Sequence, residues 1–388
     1  MRFWSRRAAA VAATLVLAAP AGAQQAAPAP ESGAFVVTIG RDTLAVEKFT
    51  RTADRLKGEI VSRSPRTVHR TYDATLNPDG SVARIELTSR PLSGGPVTNG
   101  TIVFTADSAT WTVRRNDSTT TRTLAVRRPA APVVTNSHAL IEQAVLQARA
   151  AGLSTAEFSL VQLGAASASS MTMRGADGAD IALDLLAGPQ RLTVDANGRL
   201  QALDGSQSTQ KFVARRVAAV DMQGLESEFA ALDASGRGMG PLSPRDSVVA
   251  DVGGAHLAID YGRPFKRGRA VVGGIVPLNQ VWRTGANAAT GFRTTRDLEI
   301  RGTTIPAGAY TLWTLPTLTG WKLIVNRETG QWGTEYKEAQ DLARIDMDVA
   351  EVAPPVEQFT IAIDPAGEGG TIRMRWDTTE VSIPFTIK

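Results

Sequence analysis

Apolar and polar residues alternate in short runs along most of the chain, the signature of strands with one buried and one wetted face. Runs at 35–39, 82–87, 101–104 and 111–114 predict strands in the N-terminal half. Asn77-Pro78-Asp79-Gly80 and Asn99-Gly100 supply residues that tolerate positive φ, and both are expected to form tight hairpin turns. A further hairpin is expected at 192–203, around Asp195-Ala196-Asn197-Gly198.

The period changes twice. Leu140, Ile141, Ala144, Val145 and Ala148 recur at helical spacing, with Ser137 as N-cap and Gly152 to close the end, which predicts a helix near 137–151. Met222, Leu225, Phe229 and Leu232 predict a second helix near 221–232. The turn-rich segment D-A-S-G-R-G-M-G-P-L-S-P then reads as a linker, placed at 233–245. Beyond it, alternation is crisp at 372–376 and 381–387. Pro384 cannot donate to a ladder, so the last strand is expected at an edge. Only 336–343 looks helical there. The fold class that follows is mainly β: an N-terminal curved antiparallel sheet with one or two packed helices (24–232), then a C-terminal β-sandwich (246–388).

The first 23 residues have another pattern: M-R-F-W-S-R-R, an apolar run from Ala8 to Leu17, then A-P-A-G-A. This is the layout of a secretory signal peptide cleaved after Ala23, and the run is too short for a membrane anchor. Export to the periplasm or the exterior is expected, with no transmembrane segment in what remains.

Composition narrows the chemistry. Loss of Arg2, Arg6 and Arg7 with the signal nearly neutralises a formal charge of +4, so no nucleic-acid footprint is expected. The absence of cysteine excludes disulfides, thiolate metal sites and a cysteine nucleophile. His69, His138 and His256 have no metal-ligand spacing, so neither metal nor cofactor is predicted. His69 is expected on a surface strand and His138 in the first turn of a helix. A triad from His256, Asp260 and Ser243 or Ser247 is disfavoured, because His256 and Asp260 lie two pleats apart. No G-x-S-x-G is present. No catalytic residue is assigned.

Residues 246–388 hold five tryptophans and 12 of the 20 aromatic residues that follow the signal. In V-W-R-T-G-A-N, Trp282 and Arg283 should face opposite ways before a turn at Gly285. Arg283 either clamps its loop or lines a pocket with Tyr261, Asn287 and Trp332. The run G-R-P-F-K-R-G-R at 262–269 offers Arg263, Lys266, Arg267 and Arg269, either as a solvated loop or as an anion site. The ligand-binding candidates are therefore Tyr261, Arg263, Arg269, Trp282, Arg283, Asn287 and Trp332. Aromatic planes with guanidinium and amide groups suit a polar or anionic small molecule or a glycan.

Y-G-R-P at 261–264, G-G-I-V-P at 273–277, V-W-R-T-G-A-N-A-A-T at 281–290, P-A-G-A-Y-T-L-W at 306–313, W-K-L-I-V-N at 321–326 and Q-W-G at 331–333 occur in this order. Over roughly 245–364 this set resembles a bacterial family of unknown function, number 2911. The resemblance implies an exported β-rich domain and no reaction. The N-terminal half is similar, in its order of strands, turns and helix, to half-barrel sheets that carry lipophilic cargo in the bacterial envelope. The expectation is a non-catalytic binding or envelope-associated protein; the competing class is a hydrolase of an envelope or extracellular polymer.

Overall fold

The computed structural model describes residues 29–388, and the expected signal peptide lies outside them. The described residues form two sheets, of fifteen and nine strands. In the first, the eight strands from Glu31–Ile39 to Ser118–Ala125 run as a meander. Seven more, from Ala130–Val133 to Val213–Val217, make up the other flank, joined where Glu31–Ile39 pairs with Val213–Val217. One pair departs from the expected antiparallel pattern: Ala130–Val133 and Thr155–Gln162 are parallel, with helix α1 (Ala139–Ala150) as their crossover.

This sheet curls until its flanks touch. Trp111 Nε1 donates to Ala165 O at 3.0 Å, and Arg122 reaches Ala166 O. A side chain at Gly100 would meet Leu163 Cδ1 at 2.4 Å. Asn99-Gly100 is accordingly not the expected turn; it lies inside the strand Thr98–Phe104, where glycine permits close approach of the other flank. The Asn77–Gly80 and Asp195–Gly198 turns form as expected, with Gly80 at φ +77° and Gly198 at φ +78°.

Helix α1 lies in the concavity. Its Glu142 is fully buried and pairs with Arg51 and Arg216, while accepting Leu200 N–H at 2.6 Å. Glu47, also fully buried, accepts from Ser137 Oγ, Tyr72 Oη and the N–H groups of His138 and Ala139. That carboxylate, projecting from the facing strand Asp42–Arg51, satisfies the start of α1. Position 138 rather than Ser137 is the N-cap. Leu153 N bonds Ala148 O and Gly152 has φ +66°, the left-handed ending that the glycine implied. Helix α2 (Met222–Ala234), capped by Asp221, covers the convex face, its Met222 and Phe229 packing on Val46 and Val61. The strands beneath are therefore buried on both faces.

Gly236 and Gly240, at φ +72° and +64°, turn the chain toward the strand Arg245–Val252. The second sheet doubles back through one 26-residue strand, Asp341–Ala366. Its first part pairs with Trp321–Asn326 and its remainder with Gly369–Ile387. Two layers thus face each other over one core, in which Tyr261, Trp282, Phe359 and Trp376 meet edge and face. Two expectations fail here. Residues 336–343 are a short 3₁₀ turn, Glu338–Gln340, running into that long strand, because pairing with Trp321–Asn326 claims everything from Asp341 onward. Pro384 is not in an edge strand: Gly369–Ile387 has partners on both sides, and Pro384 falls between its two ladders.

Candidate functional site

A cavity of about 1070 Å³ opens where the concavity of the first sheet faces the loops of the second. The apolar part of its floor is formed by Leu140, Ile141 and Ala144 of α1, by Met171 and Leu183 from the strands and by Phe212 just before Val213–Val217, with Gln162, Ser170 and Gln190 as polar neighbours. Its opposite wall comes from the second sheet, through Arg269, Trp282, Arg283, Asn287 and Trp332.

Three cations border it: Lys211, Arg269 and Arg283. Among the described residues its lining includes no aspartate or glutamate. The Nε of Arg283 is buried without a hydrogen-bond partner among the described residues, and burial alone lowers the guanidinium pKa. Arg269 donates to the carbonyls of Lys266 and Phe265. Burial, then the nearby charge of Arg267, pushes its pKa down to about 10. Lys211 donates to Ser206 O at 2.8 Å. Its pKa is lowered by burial first and then by the positive charges of Arg283 and Arg269, which reach it across the gap between the sheets. All three are half-buried; Glu357 and Asp42 act on Arg269 from outside the lining, and no carboxylate among the described residues borders the cavity itself.

Local structure fixes Arg283. Trp282 exchanges backbone hydrogen bonds with Thr314, at 2.7 and 2.9 Å, so its ring enters the core and the next side chain emerges toward the cavity. Thr284 at φ +53° and Asn287 at φ +64° then turn the loop back. Gly333 packs against the arginine stem, where an added Cβ would lie 2.1 Å from Arg283 Cδ.

The seven predicted residues separate. Arg269, Arg283, Asn287 and Trp332 converge on the cavity, while Trp282 borders it with its ring turned into the core, 7% exposed and stacked on Trp376. Tyr261 does not: it is 2% exposed and its Oη accepts Ile361 N–H at 2.9 Å across the two layers. Arg263 is also held elsewhere, by Asp246, Phe359 O and Thr360 Oγ1. The 262–269 run is neither a solvated loop nor, as a whole, an anion site. Lys266 pairs with Asp377, and Arg267 crosses to the first sheet to pair with Asp42 at 2.7 Å. Lys211 was not legible in sequence, because a single lysine in a polar turn carries no signal until Arg269 and Arg283 are brought opposite it. His138 lies at the start of α1 as expected; its burial, at 1% exposed, and its place on the cavity border depend on packing that the sequence does not show. His69, in contrast, lies on a strand beside Glu226. His256 pairs with Asp251 at 2.8 Å, whereas Asp260 pairs with Arg245.

Residues 243–385 match the family described as Protein of unknown function (DUF2911), a span that covers the second sheet except the last two residues of its strand Gly369–Ile387. A solved structure of a DUF1089 family protein from Pseudomonas aeruginosa is similar to part of this chain. It has 13% identity and a TM-score of 0.31, and the match covers 41% of this chain and 88% of that one. Comparison with curated proteins returns no match. No helix among the described residues is long and apolar enough to cross a membrane.

Proposed function

We propose that the protein is an exported, non-catalytic binding protein that holds an anionic amphiphile in the cavity between its two sheets. One observation carries the reading: Lys211, Arg269 and Arg283 border a cavity whose floor holds an apolar patch and whose described lining has no carboxylate. An apolar body on the floor leaves water, and the anion offers a partner to the half-buried Arg283, whose Nε has none among the described residues. The alternative, hydrolysis of a polymer, requires an acid and a base facing the substrate. The cavity offers His138, an imidazole whose pKa burial lowers to about 4, and no carboxylate to work with it.

Isothermal titration with dodecanoate, below its micelle concentration, tests this against dodecanol. The carboxylate is expected to bind and the alcohol to bind at least about tenfold more weakly, the usual worth of a charge-assisted hydrogen bond. Arg283→Met should remove most of that preference while melting no lower than the native protein, since an unpaired buried charge is relieved. Equal affinity for alcohol and carboxylate would exclude the reading. A marked fall in melting temperature would instead make Arg283 the clamp of its own loop.

A further inference from the structure

The border of the cavity has a feature that binding a soluble anion leaves unexplained. Among the described residues nine large apolar side chains are exposed, and two of them, Leu186 at 78% and Trp332 at 42%, border this one cavity. They come from different sheets: Leu186 from the turn between Asp180–Leu185 and Gly188–Val194, Trp332 from the loop after Trp321–Asn326. Exposed Pro241, from the connecting segment, also borders it. Single exposed leucines need no explanation; apolar side chains that converge from separate parts of the fold on one opening do.

We propose that this mouth is a membrane-contact surface, at which Leu186 and Trp332 enter the headgroup boundary of an anionic bilayer. This rests on the preceding reading for what the cavity takes. Tryptophan suits that depth, having an apolar body and a polar N–H. Lys211, Arg269 and Arg283 supply complementary charge to anionic headgroups. Of two carboxylates near it, Asp184 pairs with Arg174, while Glu335, which accepts Trp332 N–H at 2.9 Å, keeps its charge and is outnumbered by the three cations. Contact also has a physical purpose, since an amphiphile that passes directly from bilayer to apolar floor never exposes its body to water.

Co-sedimentation with vesicles tests the surface. Vesicles of equal parts phosphatidylcholine and phosphatidylglycerol should bind the protein at least about tenfold more tightly than phosphatidylcholine alone. Leu186→Asp combined with Trp332→Asp should lose that binding by a similar factor. Leu318→Asp, at an 84% exposed position that does not border the cavity, should retain it. All variants share the same N-terminal segment, so their differences report the mouth alone. Both mutated side chains are exposed, and an unchanged melting temperature verifies the fold. Failure to bind the anionic vesicles, or equal binding by the double variant, overturns the proposal. If dodecanoate does not bind but the double variant still loses the vesicles, the contact surface stands and the cargo reading falls.

Discussion

At position 138 an imidazole lies between the rings of Phe35 and Phe212, at 5.6 and 5.9 Å, with its Nδ1 3.2 Å from Asn136 O. A carbonyl only accepts, so Nδ1 is the nitrogen that carries the proton of the neutral ring. Burial lowers its pKa from 6.5 to about 4. A base with a depressed folded pKa contributes stability that is present above pH 6.5 and lost as pH falls toward 4, because the unfolded chain protonates first. The shift corresponds to about 3 kcal/mol. Urea unfolding of the native protein and His138→Leu across that window should show the native protein losing about this much relative to the variant. A constant difference would contradict it. Glu47, beside it, is displaced the other way: burial raises its pKa, so its effect declines as pH rises, and it is common to both proteins. The histidine was visible in sequence, but its burial was not, because that depends on two phenylalanines from distant strands.

The helices show how an element can be legible while its anchoring is not. The apolar stripe of α1 follows from spacing. The position of Glu142, in its first turn and between Arg51 and Arg216, depends on the curl of the sheet. Replacing Glu142 with alanine leaves Arg51 and Arg216 only the half-buried Glu31, at 3.2 and 4.0 Å, and a loss of about 3 kcal/mol, the low end for a broken buried pair, is expected in urea unfolding. Combining it with Arg51→Met and Arg216→Met should cost less than the sum of the single changes, because the orphaned charges disappear together. Additive losses would mean that the three do not form a unit. Residues 336–343 show the opposite case. Their local pattern favours a helix, yet Asp341 is held by Tyr336 Oη and by Arg344, and a neighbouring strand supplies a ladder that a lone helical turn cannot match.

At the scale of the whole molecule, the two sheets are held by a contact that neither makes alone. Arg41 N donates to Arg267 O at 3.0 Å, Arg267 pairs with Asp42, and its other terminal nitrogen reaches Met239 O. Gly40, at φ +60°, makes room for it: a Cβ there would lie 2.1 Å from Arg267 O. Gly40→Ala should destabilise by about 1 kcal/mol or more. It should also raise amide exchange at 39–44 and 263–269 and weaken dodecanoate binding, since the cavity needs both walls. Unchanged exchange would show that this contact does not join the sheets. Alternation along single strands, helical stripes and turn residues were sufficient for a mainly β chain with two helices, and the ordered motifs from Tyr261 to Gly333 were sufficient for the family of its C-terminal part. Those signals are carried by near neighbours in sequence. Tertiary structure decided that Lys211 faces Arg269 and Arg283, that Tyr261 and Arg263 turn away, and that an apolar floor lies beneath the cations. Where empty space remains, and which charges border it, is set by how distant surfaces fail to fill one another, and no local period encodes that.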